Sequence, residues 1–345
     1  MDKLSIIQQP ILDELEILNR TLAETLNTSS PMMNTVVDYF LGTKGKQIRP
    51  MLVLLSARLF GKINAVTIDA AAAIELLHNA SLIHDDVVDE SKQRRGKPTI
   101  NGVWDNRIAV LVGDYFVSCA LKCSISTGIL EVINTLGFLG QELAKGEIDQ
   151  LSIAQDHVLN EEAYFNVIRQ KTASLFISCM KMGALSNGAS SEAIEQLMVF
   201  GEKLGLCFQI KDDTFDYFSD DTIGKPTGND LREGKVTLPL IFAVRNATDV
   251  ERDEVMAILR QKELSAKDID KLTEFAKSHG GIEYAKKVME RLRTEGYAAL
   301  ASFGENPVVT SLKAILDYTT KFSGLWSYYS DGKLSYGYKD GQCVE

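Results

Sequence analysis

The stretch Glu75–Thr99, ELLHNASLIHDDVVDESKQRRGKPT, decides how the rest of the chain is read. Its first half sets Leu76, Leu77, Ala80, Leu82 and Ile83 at the i, i+3, i+4, i+7 recurrence of a buried helix face. Its second half is acid followed by base: Asp85, Asp86 and Asp89, then Arg94, Arg95 and Lys97. On a helix Asp85 and Asp89 stand one above the other, where like charges repel by roughly 0.2–0.5 kcal/mol per pair. A chain that keeps this spacing asks for a cation.

The pattern recurs in Phe208–Phe218, FQIKDDTFDYF, where Asp212, Asp213 and Asp216 follow the apolar run Leu204–Ile210. A lone cluster of this kind can merely close a helix or face solvent. Two copies, each closing an apolar helix and each followed by a basic segment with Gly and Pro, point to function. Oxygen donors without clustered Cys suit Mg²⁺, which keeps several waters and is shared between one or two carboxylates and substrate phosphates.

Around these clusters the chain reads as all-α. No proline lies between Pro98 and Pro226, and the residues between them follow helical, not alternating, periodicity. With 345 residues, 45% hydrophobic and 24% charged, there is ample material for a large core. A net charge of −10 argues against non-specific nucleic-acid binding, which needs a basic face. Cys119, Cys123, Cys179, Cys207 and Cys343 form no CxxC pair and read as small buried hydrophobes, with Cys343 a tail thiol. The first residues lack the basic start and apolar core of a signal peptide, and no uninterrupted apolar run reaches the roughly 18 residues of a membrane span. The expectation is a soluble, cytoplasmic protein with no transmembrane segment.

Taken in order, residues 2–27 predict one or two amphipathic helices with Ile7, Ile11, Leu15, Leu18 and Leu22 on a common face, and 32–41 a further helix. In GTKGKQIRP, residues 42–50, Lys46 and Arg49 precede an apolar helix whose N-terminus also favours anions, a cradle suited to a diphosphate. Arg94 and Arg95 can each fork two phosphate oxygens. Asp114 is a polar anchor in the apolar run 107–122, and Glu142, Glu147, Asp149 and Gln150 read as the solvated face of a helix over 131–155. Lys171 and Thr172 interrupt an apolar stretch, where they either meet an anion or the lysine snorkels to water. Residues 220–235 form a Gly- and Pro-rich loop with Lys225 and Lys235 as anion contacts. Helical scaffold follows to Phe322. The organisation is one domain, 1–323, and a Tyr- and Gly-rich tail, 324–345.

Two acidic clusters ringed by Lys and Arg describe a pocket for diphosphate esters. Neither GxxxxGK[ST] nor GxGxxG is present to suggest a nucleotide.

GKQIRP (45–50), LLHNASLIHDDVVDES (76–91), RRGKPT (94–99), QKTASL (170–175), FQIKDDTFDYF and GKPTGNDLREGKVTLPL (224–240) together resemble the trans-prenyltransferases, the all-trans polyprenyl diphosphate synthases, over roughly residues 30–245. The resemblance implies a single-domain isoprenoid synthase fold, antiparallel helices around a deep central cavity, usually as a homodimer. It implies that Asp85 and Asp89, with Asp212 opposite, bind about three Mg²⁺, while Asp86, Asp213 and Asp216 assist through water. Arg94, Lys171, Thr172, Gln209, Lys225 and Lys235 would contact the allylic diphosphate, and Lys46, Arg49, His78 and Arg95 would hold isopentenyl diphosphate. His84 would stand in a second shell, and Gln47 departs from the basic residue relatives often carry there. Asp85, Asp89, Arg94, Lys171, Asp212 and Lys225 would carry the chemistry: ionisation of the allylic C–O bond, attack by the isopentenyl double bond, and loss of a proton to pyrophosphate.

Product length follows from geometry. One turn below Asp85 stand Ala80 and Ser81, and the next turn offers Leu77; a turn advances about 5.4 Å, roughly one isoprene unit. The family's short-chain enzymes often floor the cavity with an aromatic at the first of these positions. Here both residues are small, so a long product is expected, hexaprenyl to decaprenyl diphosphate (octaprenyl- or solanesyl-like), destined for a quinone side chain. Two rivals stand beside this reading: a class I terpene cyclase, which typically replaces the second aspartate motif, and a non-catalytic subunit of a heteromeric synthase, which usually loses one.

Overall fold

Runs of good helix formers separated by Ser, Thr, Asn and Asp give the chain its start signals, and the structure uses them. Side chains of Ser30, Asn64, Asp105, Asn160 and Ser190 each accept the backbone N–H three residues on, and Thr248 and Ser265 form capping boxes with Glu251 and Asp268. The computed structural model describes residues 7–42, 47–94, 96–155, 159–218, 228–261 and 263–320, with the backbone of 338–339 and 342–343.

The helices are α1 (Leu12–Leu26), α2 (Pro31–Leu41), α3 (Ile48–Arg58), α4 (Ala65–Val88), α5 (Ile100–Val103), α6 (Asn106–Ser126), α7 (Leu130–Gln155) and α8 (Glu161–Ile168). A π-helical turn, Arg169–Ala173, leads into α9 (Ser174–Ser186) and α10 (Ser191–Phe215). Then come α11 (Asn229–Arg232), α12 (Leu238–Arg245), α13 (Asp249–Leu259), α14 (Ala266–Ser278), α15 (Gly281–Leu300) and α16 (Pro307–Thr320). Two short antiparallel ladders complete the described chain: β1 (Gln93–Arg94) with β2 (Lys97–Pro98), and β3 (Tyr338–Lys339) with β4 (Gln342–Cys343).

Helix α4 is the centre. Ala70, Ala71, Ala72 and Ala73 are fully buried in succession, so the helix has neighbours on every side, and small side chains let α1, α3, α6 and α9 approach. Glycines set the closest crossings: a Cβ on Gly183 of α9 would stand 2.2 Å from the Val53 carbonyl of α3. A second, smaller core gathers Leu240, Val255, Leu272 and Ile282 from α12 to α15 around Tyr217 and Leu231. Ile7, Ile11, Leu15, Leu18 and Leu22 are all buried, as their spacing predicts.

Both α4 and α6 are long and apolar enough to cross a membrane by length and composition. In α4 that apolarity is core packing; in α6 much of it is exposed, at Val110, Leu111, Val117, Leu121 and Ile125. Asp114 is no interior anchor, because its side chain is largely exposed, 3.5 Å from His84 Nε2.

Candidate active site

Both acidic clusters occupy helix C-termini. Asp85 and Asp86 lie in the last turn of α4 and Asp89 caps it, its N–H donating to the Asp85 carbonyl at 2.8 Å. Asp212 and Asp213 close α10, and Asp216 caps it. A carboxylate at the negative end of a helix dipole loses roughly 0.3–1 kcal/mol, so the fold places acid where backbone electrostatics oppose it. The two ends open into one cavity of about 690 Å³, lined by Asp86 and Asp89 from α4 and by Asp212 and Asp213 from α10. Arg94, Lys171 and Lys235 line the same space. A smaller pocket of about 140 Å³ adjoins it, lined by Asp85, Ser81, Leu143, Leu175 and Phe208.

The π-helical turn positions the central cation. Its wide spacing breaks the helix between α8 and α9 at Lys171 and Thr172, and two glycines let neighbouring helices close on it. A Cβ on Gly146 of α7 would stand 2.8 Å from Lys171 N, and one on Gly205 of α10 would stand 2.5 Å from Ala173 Cα. Lys171 Nζ is ion-paired with Glu147 and donates to Gln150 Oε1 at 3.5 Å. Glu147 and Gln150 therefore turn into the site and not, as expected, onto a solvated face. Gln150 Nε2 is buried with no hydrogen-bond partner among the described residues, a donor held beside a cavity that suits an anion. Burial pushes Asp85 up to about 6, with the nearby Lys171 lowering it and Glu147 and Asp89 raising it.

A hydrogen-bond chain runs through the second cluster. Thr172 Oγ1 donates to Gln209 Oε1 at 2.6 Å, Gln209 Nε2 donates to Asp213 Oδ1 at 2.7 Å, and Tyr164 Oη donates to Asp213 Oδ2 at 2.5 Å. Burial raises Asp213 to about 7 even though both bonds favour its charged form. Asp216 is directed elsewhere: Oδ1 accepts from Asn229 N at 3.1 Å and Oδ2 from Asp230 N at 3.0 Å, and the side chain does not line either cavity. Expected as a metal residue, it is occupied by backbone. Asp212 is exposed to the cavity. Asp230, absent from the sequence-based set, lines the cavity and is raised to about 8 by burial and by Asp213 and Asp216. The acid within GNDLREGK was its only signal.

The remaining residues divide clearly. Arg94 Nε donates to Asp86 Oδ1 at 2.9 Å. Arg49 lies in the first turn of α3, over the rings of Phe176 and Phe208, and with His78 lines both cavities. Lys235 Nζ donates to Glu233 Oε2 at 2.5 Å within reach of the fields of Asp89 and Asp230. Of the chain-length candidates Ser81 lines the smaller pocket; Ala80 is fully buried, Leu77 nearly so, and neither lines these cavities. His84 packs over Gly113 of α6 and faces away from the site. Lys46, Arg95 and Lys225 lie outside the described residues.

Among the described residues no three His, Cys, Asp or Glu converge into an all-protein metal cage. The donors that reach the cavity are carboxylate oxygens on opposite walls, set against helix dipoles and faced by lysine and arginine. That donor set fits a hard divalent cation whose remaining ligands are water and phosphate oxygens.

The profile of the family described as "Polyprenyl synthetase" matches residues 30–276. The octaprenyl diphosphate synthase of Escherichia coli is 34% identical, covering 84% of this chain and 90% of its own. Component 2 of the Bacillus subtilis heptaprenyl diphosphate synthase is 32% identical, covering 90% of this chain and 88% of its own. The crystal structure of a decaprenyl diphosphate synthase from Rhodobacter capsulatus superposes with a TM-score of 0.86 at 34% identity, over 91% of this chain and 97% of that one. A geranylgeranyl pyrophosphate synthase from Bacteroides thetaiotaomicron gives 0.80 at 38% identity, over 93% and 99%. A polyprenyl synthase from Caulobacter crescentus, solved with calcium and isoprenyl diphosphate, gives 0.85 at 30% identity, over 92% and 97%.

Proposed function

The chain belongs to the polyprenyl synthetase family and is a trans-prenyltransferase of the all-α isoprenoid synthase fold, and from that premise we propose that it condenses isopentenyl diphosphate with an allylic diphosphate into a long all-trans polyprenyl diphosphate in a Mg²⁺-dependent reaction. The observation that carries this reading is the meeting of two acid-terminated helices, α4 and α10, in one cavity rimmed by Arg94, Lys171 and Lys235.

Asp85, Asp89 and Asp212 would hold Mg²⁺ together with diphosphate oxygens. Bound there, Mg²⁺ supplies charge to the departing diphosphate. Lys171, Arg94 and Lys235 neutralise the same developing charge, and Gln150 Nε2 donates to a phosphate oxygen. Arg49 and His78 hold isopentenyl diphosphate beside Phe208. The allylic C–O bond breaks with its electron pair leaving on oxygen; the isopentenyl double bond attacks the carbocation, forming the new C–C bond, and the adjacent C–H loses its proton to the released diphosphate. Leu82, Leu143, Leu175 and Phe208 line the smaller pocket with an apolar wall that excludes water that would otherwise trap the cation.

The long product rests on Ser81, a small residue lining the pocket beneath Asp85, and on the octaprenyl and decaprenyl relatives; a quinone side chain is the destination we favour. The exposed apolar stripe of α6, continued by Leu130 and Phe138 of α7, supports a second copy of the chain as its cover. The buried thiols Cys119, Cys123, Cys179 and Cys207 suit the reducing cytoplasm.

The deciding experiment incubates the purified protein with Mg²⁺, labelled isopentenyl diphosphate and farnesyl diphosphate, then resolves the dephosphorylated products by length. A ladder ending well beyond geranylgeranyl is expected. A product stopping at geranylgeranyl would overturn the length, and cyclised hydrocarbon would overturn the reaction. No incorporation with any allylic primer would point to a missing second component.

A further inference from the structure

Asp216 matches Asp89 in spacing but not in use. Asp89 lines the cavity, whereas Asp216 turns its carboxylate away, onto the first amides of α11. Its own carbonyl accepts a third, from Gly228 N at 3.0 Å. These are orphan donors of a helix start, and one aspartate satisfies them. The segment so held cannot slide: Gly228 adopts φ +73°, and a Cβ there would stand 2.2 Å from Ile269 Cγ2 of α14. What the segment carries is Asp230, whose side chain lines the cavity and whose carbonyl accepts Lys235 N at 2.7 Å.

We propose that Asp216 is a positioning residue and not a cation ligand: its carboxylate caps α11 and thereby sets Asp230 and Lys235 on the cavity wall. The proposal rests on the reading above that this cavity takes a divalent cation with a diphosphate. Asp213 supports it, because its two oxygens are likewise engaged, by Tyr164 and Gln209. Of the three carboxylates in the cluster, Asp212 and Asp213 line the cavity, and Asp212 is the exposed one.

The two roles separate on the Asp-to-Asn change, since asparagine caps a helix about as well as aspartate but lacks the charge a cation ligand needs. Full-length wild-type, Asp212→Asn, Asp216→Asn and Asp216→Ala proteins are titrated with Mn²⁺ by EPR in the presence of inorganic pyrophosphate, and pyrophosphate affinity is measured by calorimetry. Asp212→Asn should weaken Mn²⁺ binding by about tenfold or more, as loss of a ligand or its support does. Asp216→Asn should hold Mn²⁺ within about twofold of wild type, because it keeps one cap acceptor. Asp216→Ala should weaken pyrophosphate by roughly five- to thirtyfold, the factor that loss of such a cap represents, with most of it restored in Asp216→Asn. Weakening of Mn²⁺ by Asp216→Asn as severe as by Asp212→Asn overturns the proposal. Both readouts are independent of turnover, so a protein that binds Mn²⁺ and pyrophosphate but makes no polyprenyl product would sink the proposed reaction and still report on Asp216.

Discussion

Asp85 and Asp213 hold their protons more tightly in the folded protein than free carboxylates do, because burial penalises the charged form. The sign of the consequence is fixed. A carboxyl whose folded pKa is raised contributes stability below its unfolded value and loses it as pH climbs through the folded value, here about 6 for Asp85 and about 7 for Asp213. Metal-free protein in EDTA should therefore melt at falling temperature between about pH 5 and 8, Asp213→Asn should flatten that slope, and added Mg²⁺ should flatten it in the wild type. An unchanged slope in the Asn variant would dissociate Asp213 from the effect. Gln150 gives a second test at this scale. Its buried Nε2, without a hydrogen-bond partner among the described residues, suits a phosphate acceptor, so Gln150→Leu should raise the allylic KM by about tenfold, the worth of one hydrogen bond to a charged group, with the fold intact by circular dichroism. A KM within twofold of wild type removes it from the site. Ser81→Phe, filling the smaller pocket, should shorten the product ladder by one or more units. Unaltered lengths would place the floor elsewhere.

Among helices, identity and order were legible in the sequence because periodicity, caps and proline spacing agree. The direction of particular side chains was not. Glu147 and Gln150 sit on a helix whose charges read as solvated, and only the approach of the π-helical turn, through Gly146, turns them inward. Asp213 and Asp216 look like Asp86 and Asp89 in one dimension. Their partners, Tyr164 and the amides of Asn229 and Asp230, are distant in sequence or backbone-borne, and no spacing announces them. Ala80 carries the same lesson: one turn below Asp85, it faces the core, while Ser81 faces the pocket. The close crossing at Gly205 yields a prediction. Gly205→Ala would place a methyl 2.5 Å from Ala173 Cα in the turn, costing about 1–3 kcal/mol of stability by overpacking and lowering kcat as Lys171 shifts. Denaturant midpoints and steady-state rates measure the two effects; a stable variant with wild-type kcat would show that the crossing is slack.

At the scale of the whole molecule, the bundle buries the middle of its central helix, Ala70–Ile74, and leaves α6 half finished. Val110, Val117, Leu121 and Ile125 recur at helical spacing on an exposed face that a second copy can cover by pairing the same surface on each subunit. Leu121→Glu should convert the proposed dimer into a monomer, read by sedimentation velocity. A wild-type protein that sediments as a monomer would refute the dimer, and one that partitions onto lipid vesicles would assign the face to a membrane.

The π-helical turn at Arg169–Ala173 has a further meaning for how such a site can be lost. A π turn holds one more residue than the α-helical turn it replaces, and each residue of an α-helix accounts for about 100° of rotation. Deleting a single residue there would let α8 and α9 run on as one regular helix, with its hydrophobic face still aligned to the bundle. Lys171 and Thr172 would then swing off the cavity wall. The fold would survive and the reactive arrangement would not, so the enzyme depends on one surplus residue that its architecture does not need.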